Sequence, residues 1–547
     1  MVSNLHPSAD DAILRALTDD QGESVMTTRR EFLAAGAGGL LGATGLPALA
    51  DDQVQVTPGL VKLHAGIEPL VQLVERTPRN KCVGMLAEQI KKGVPYRQLL
   101  ASLFLAGIRN VSPQPPGFKF HCVFVINAAH QLSLDLPADQ RLLPLFWSLD
   151  NFKASQAKDI EEGDFKLGPV RGKLPSPRKA GREFSQAMNE WDEERADRAI
   201  VALVRSSGAS HVIERMWKYG CRDYRNIGHK AIFVANTWRT LQTIGWHHAE
   251  PAMRSLVLGL LDFGAEQRVN KYAFADQTYS QNLDFARKAM QKGPDGRMPA
   301  KWRYEWIRPG SRPEQVQELL ADMRKLDPQA CCRLVGERLG KGDFRAQTVW
   351  DAVHLMAGEL MMRQPGIYGI HTVTSANALH YAFRSAAFPV TRLLLALQAV
   401  GWMVQFREFM ATARGGLKAA DIFKPPGQPD RDSGKGTGGR EVAEILARVG
   451  PDTVGASSAA HRLALRAAAE KRPDWLESFA GSARQLIALK ATDAHHYKYG
   501  MAIFENLELV SPAYRPHVMA TAPYYIRGSG DADAVVVTRA LEALGAR

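Results

Sequence analysis

The chain has 547 residues, 45% of them hydrophobic and 23% charged, and carries a net charge of +12. That balance is ordinary for a globular protein, and the length allows one large domain or two to three smaller ones. No Lys/Arg block is interleaved with aromatics, which excludes a nucleic-acid-binding pattern. After residue 50 no stretch is long and apolar enough to span a bilayer, which needs about 20 apolar residues.

The first element in chain order is a targeting signal. Thr27-Thr28-Arg29-Arg30-Glu31-Phe32-Leu33 leads into an apolar run, Ala34 to Leu46, and then into Pro47-Ala48-Leu49-Ala50. A basic pair, a short apolar region and a small-x-small site form the layout of a twin-arginine export signal. The expectation is cleavage after Ala50, recognition by the twin-arginine translocation machinery, and a periplasmic or extracellular protein. That machinery moves folded proteins, often with a cofactor already installed. Residues 1–50 carry three arginines and six acids, so the remaining chain has a net charge of +15. A solvated basic surface accounts for that charge.

Beyond residue 50 the apolar residues recur at three and four, the helical period. This holds for Leu60 to Val74, Cys82 to Ile90, Tyr96 to Ile108, Asp192 to Val204, Ala231 to Ile244, Met253 to Leu261, Ala346 to Met362 and Ala386 to Val404. Phe120 to Ile126 and Ala534 to Val537 are the two β-like runs, and either reads equally as buried helix. Breakers fall at residues 112–117, 168–182 and 309–313. Pro425 to Arg440, rich in Gly and Asp, reads as a surface loop. The expectation is an all-α, bundle-like fold, residues 51–547 forming one large metal-binding domain.

Five cysteines, Cys82, Cys122, Cys221, Cys331 and Cys332, form no CxxC pair and no zinc-finger spacing. Their odd number leaves at least one unpaired, and they are too few to define the fold.

Histidines carry the chemical signal. Beyond the signal region they gather at His121 and His130, at His229, at His247 and His248, from His354 to His380, and at His495 and His496. A lone buried histidine is ordinarily a hydrogen-bonded core residue; several in apolar helical text point to a site. Spacing constrains which act together. On one continuous helix His229 and His247 would stand ~27 Å apart, so they are alternatives, with His229 preferred. His371 and His380 differ by 2.5 turns, so at most one of them faces a given site. His495 and Lys498 share a face. Asp351 and His354 share a face too, a spacing that suits a carboxylate orienting an imidazole. No GxSxG, HExxH, P-loop, GxGxxG or CxxCH motif is present.

The segment His371-Thr372-Val373-Thr374 resembles the His-x-Val-Thr segment of the questin-oxidase-like proteins. Asp493-Ala494-His495-His496-Tyr497-Lys498 is similar to that family's Asp-x-His-x-x-Lys. Asn127 to His130 and Gly228-His229-Lys230 resemble its other histidine motifs. The resemblance implies an all-α fold and a non-haem Fe(II) oxygenase using O2. Its implied ligands are His130, His229, His371 and His495, with Lys498 carboxylated to a carbamate. Neutral imidazoles suit Fe(II), whereas a lysine ammonium cannot bind a cation until its charge is removed.

The functional expectation is an exported oxygenase acting on an aromatic, phenolic or quinone-like small molecule. Trp238, Trp246 and Tyr381 are expected to line the pocket, and Glu250 or Glu359 to orient a ligand or act as a base. A zinc hydrolase built on the same histidines and a non-catalytic helical binding protein are the alternatives.

Overall fold

The computed structural model describes residues 59–268, 273–293, 297–412, 415–425 and 438–545. The expected signal region and residues 426–437 of the expected loop lie outside them. Among the described residues all regular secondary structure is helical and no strand forms; one isolated bridge joins Asp421 to Lys424. The all-α expectation holds. Among the described residues no helix is long and apolar enough to cross a membrane. One cluster of buried apolar side chains runs from Val61 to Leu544.

Seven helices carry the argument and are labelled in chain order: α1 (His121–Leu134), α2 (His229–Ile244), α3 (Ala249–Leu260), α4 (Ala346–Arg363), α5 (Ile367–Ser385), α6 (Pro389–Thr412) and α7 (Ala494–Leu509). The two β-like runs are helical. Phe120 to Ile126 opens α1, and Ala534 to Val537 opens the last helix, Val535–Leu544. Both read as strand because a helix buried on all sides shows a continuous apolar run rather than a stripe.

α1 packs on α2, α2 on α5, α5 on α7, and α7 back on α1, closing a ring of four helices. α4 and α6 cover α5 from outside, so every residue of α5 from Gly369 to His380 is buried. Polar ties fix the ring. Arg239 of α2 donates to both carboxylate oxygens of Glu505 on α7, at 3.0 and 2.8 Å. Asn377 of α5 donates to Glu505 and to Asn506. Asn236 of α2 donates to the Phe124 carbonyl of α1. Such buried polar groups specify one arrangement, because any slip leaves them without partners.

The ring helices start where the chain demands it. Gly117, Gly228 and Gly366 all have positive φ, at 124°, 85° and 116°, shortly before α1, α2 and α5. A side chain on Gly228 would meet Ser375 Cβ at 2.7 Å, so α2 can begin against α5 only at a glycine. Asp493 starts α7 as its N-cap, with the His496 side chain completing a capping box.

All five cysteines are buried and free. Burial pushes the Cys122 and Cys332 thiols up to about 12, so the reactive thiolate is scarce at neutral pH. The native protein is expected to be inert to a thiol reagent until denatured, when five thiols react. Rapid labelling of a native cysteine would contradict this packing.

Candidate metal centre

Four histidines converge at one end of the helical ring. His121 is the first residue of α1, His229 the first of α2, His371 the fifth of α5 and His495 the second of α7. One ring nitrogen from each lies within 4.8 Å of the others. Among the described residues this is the one group of three or more His, Cys, Asp or Glu side chains so placed. His229 and His371 are buried, while His121 and His495 are partly exposed.

Each imidazole is held from behind. Nδ1 of His121 contacts the Phe118 carbonyl at 2.7 Å, that of His229 the Asn226 carbonyl at 2.6 Å, and that of His371 the Ile367 carbonyl at 2.5 Å. A carbonyl only accepts, so in all three the proton sits on Nδ1 and Nε2 presents a lone pair. Nε2 of His229 stands 2.9 Å from Nε2 of both His121 and His371. Facing lone pairs at that distance repel unless an electrophile lies between them. His495 completes the set: Nδ1 points at Asp493 Oδ1 at 3.1 Å, and its buried Nε2 has no hydrogen-bond partner.

Burial holds all four imidazoles below the usual histidine range, and the Lys498 charge presses each the same way. They are therefore neutral, the form that binds metal. Lys498 lies one turn beyond His495 on α7, 2% exposed, and Nζ has no hydrogen-bond partner. Burial brings its ammonium down to about 7. Its Nζ lies 5.7 Å from the centroid of the Phe124 ring.

Asp493 serves two ends at once. Oδ1 accepts from the main-chain N–H of His495 at 2.6 Å, and Oδ2 from the Tyr525 hydroxyl at 3.1 Å. Burial opposes its ionisation, but the His495 hydrogen bond and the neighbouring imidazoles outweigh it and hold its carboxyl well below the usual range. A carboxylate behind a ligand histidine fixes the ring and raises its basicity. Asp493→Asn is expected to weaken metal binding by about 10–100-fold without unfolding the protein. Competition against a chelator measures this, and unchanged affinity would remove Asp493 from the centre.

The structure places some expected site residues elsewhere. His130 is not in the cluster; it lies nine residues beyond His121, so on α1 the two point to opposite sides. Its Nδ1 meets the Tyr96 hydroxyl at 3.3 Å. His121, which the sequence groups with His130, occupies the position expected of His130. Glu250 is clamped by Arg205 at 2.6 and 2.7 Å. Glu359, 1% exposed, is held by Arg324 and by the Ile422 N–H. Each carboxylate is neutralised by arginine and neither belongs to the histidine cluster, so the expected catalytic role has no support at either.

Trp238 packs on Trp246, and Tyr381 lies under Arg239, its ring centroid 3.9 Å from the guanidinium carbon. These are packing contacts, not a pocket over the histidines. His354 pairs with His380 at 2.8 Å, and Trp350 stacks on His380 at 4.2 Å. Asp351 serves Ser311, Gln347 and Ser511 rather than His354.

The fold and the site together define an all-α protein with a four-histidine cluster at one end of a ring of helices. The chain matches no family model, no curated protein and no solved structure.

Proposed function

We propose that the protein is an exported non-haem iron oxygenase, with Fe(II) held by His121, His229, His371 and His495. One observation carries the reading: Nε2 lone pairs face each other at 2.9 Å with no proton to share. A metal relieves that conflict. Four neutral imidazoles are a donor set that suits Fe(II). Bound iron would supply a place for O2 to be activated; the chain supplies position and electrostatics.

The charge balance supports an anionic partner. Four neutral imidazoles leave the ion's two positive charges uncompensated, and the first turns of four helices end there with their positive dipole ends. Lys498 answers one charge if its amine takes up CO2, forming a carbamate and releasing one proton. An ionised phenol or enolised quinone-like substrate answers the other, which favours that substrate class. The partly exposed edges of His121 and His495 are the side from which it would approach. The twin-arginine segment at Thr27 to Leu33 supports export, and is tested by fusing residues 1–50 to a folded reporter in cells with and without the translocase.

The central test is metal content of the purified chain, followed by O2 uptake with a panel of phenols and quinones. About one iron per chain and substrate-dependent O2 uptake are expected. Zinc with no O2 uptake would make the centre hydrolytic. No metal in a well-folded protein would leave a binding protein. Metal binding by the parent is expected to strengthen with bicarbonate, and Lys498→Met is expected to retain the fold and lose that dependence.

A further inference from the structure

A second trio of histidines lies outside the central cluster. His64 sits on the segment before the first described helix, Glu68–Arg76. His247 and His248 form the short turn Trp246–His248 between α2 and α3. Gly245, at φ 108°, ends α2 and swings this turn around. Neighbouring residues on a regular helix diverge, yet here the His247 and His248 rings stand 3.9 Å apart. The His64 ring is 5.6 Å from His247 and 6.5 Å from His248. In the central cluster, adjacent rings are separated by 4.3 to 5.3 Å.

His248 is the informative member. It is 6% exposed and lies against both other rings. As placed, the nitrogens of the three rings do not come together as those of the central cluster do; only the Gly66 N–H, at 3.3 Å, ties the exposed His64 ring, and its rotation towards the other two would close the set. Arg97 is the neighbouring cation: its guanidinium reaches within 3.2 Å of where a side chain on Gly245 would begin. Burial first, then the neighbouring imidazoles and Arg97, lower His247 and His248 below the usual histidine range and favour the neutral, ligating form, while the Arg97 charge opposes a dication by simple repulsion.

We infer that His64, His247 and His248 form a second site for a zinc-class dication, clipping the segment before the first helix onto the α2–α3 turn. Three neutral imidazoles with water in the remaining position suit zinc, nickel or copper(II), the ions that imidazole selects.

The experiment uses the full chain, stripped by a chelator and equilibrated with micromolar zinc. The parent is expected to bind one more equivalent than the His64→Ala/His247→Ala double variant, whose altered side chains are exposed and whose folding is checked by circular dichroism. Arg97→Gln should tighten zinc at this site. Zinc should also shield His64 and His247 from diethyl pyrocarbonate in the parent, read by mass spectrometry, which needs no variant. Equal stoichiometry in parent and double variant, binding only at millimolar zinc, or no shielding would overturn the inference. A His371→Ala variant separates the two centres. If it alone loses metal, the surface site fails; if the double variant alone loses metal, the central reading fails.

Discussion

His371→Ala is expected to abolish metal binding at the central cluster, lowering affinity by more than the ~100-fold that outer groups can cost. His371 is fully buried, and its Nε2 is one of the two facing His229 at 2.9 Å. Removing it takes away a ligand that no neighbour can replace, because the surrounding α5 side chains, Val373 to Ala376, carry no further imidazole. The effect on stability depends on the metal. At free metal about 100-fold above its dissociation constant, binding adds ~2.7 kcal/mol to the parent. The parent should therefore melt higher with metal than with chelator, and the variant should show no such difference. His130→Ala is the control: it removes only the contact with Tyr96, costs ~1 kcal/mol, and keeps the metal. Metal retained in His371→Ala and lost in His130→Ala would invert the assignment.

Asp223→Ala is expected to destabilise the fold by about 3–5 kcal/mol, the cost of stranding a buried charge. Lys230, the second residue of α2, donates to Asp223 at 2.9 Å, and both side chains are wholly inaccessible. Without the carboxylate, the Lys230 ammonium keeps only the Asp262 carbonyl. Replacing both residues by apolar ones of similar size, Asp223→Leu with Lys230→Met, should cost less than either single change, since the Lys230 charge leaves with its partner while Arg225 keeps Asp276 and Arg222 keeps the Met188 and Leu260 carbonyls. Denaturant midpoints of the three variants test this; a double variant as unstable as the sum of the singles would show the pair is not coupled. Because His229 adjoins Lys230, Asp223→Ala is also expected to loosen the metal.

The helical architecture was legible because three- and four-residue periodicity marks one buried face, and it failed only where a helix is buried all round, as at Phe120 to Ile126. Of the cluster, His229, His371 and His495 could be named from the sequence, the last two through short motifs. His121 was passed over for His130 although nine residues on one helix force a choice between them. A local signal separates them. His121, His229 and His371 each follow, within five residues, a glycine that opens its helix: Gly117, Gly228 and Gly366. That places the imidazole in a first turn, where a carbonyl three or four residues back can hold Nδ1. His130 sits deep in α1 with no such start. Glu250 and Glu359 misled because their partners, Arg205 and Arg324, lie 45 and 35 residues away. A carboxylate cannot be seen to be neutralised until the fold brings its arginine to it. The surface trio was visible only as alternatives to His229, since its third member, His64, is remote in sequence.

The spacing of the four ligands has a kinetic consequence. His121 and His229 are 108 residues apart, His229 and His371 142, and His371 and His495 124. No partial chain holding one helical hairpin can assemble the set, so capture of an ion by these histidines would belong after the folding barrier, when α1, α2, α5 and α7 have docked. An interaction absent from the transition state slows unfolding and leaves the folding rate alone. An ion bound there would act as a latch on three long loops. It would lengthen the lifetime of the folded state, and so its endurance against proteases, more than it would change how fast that state forms.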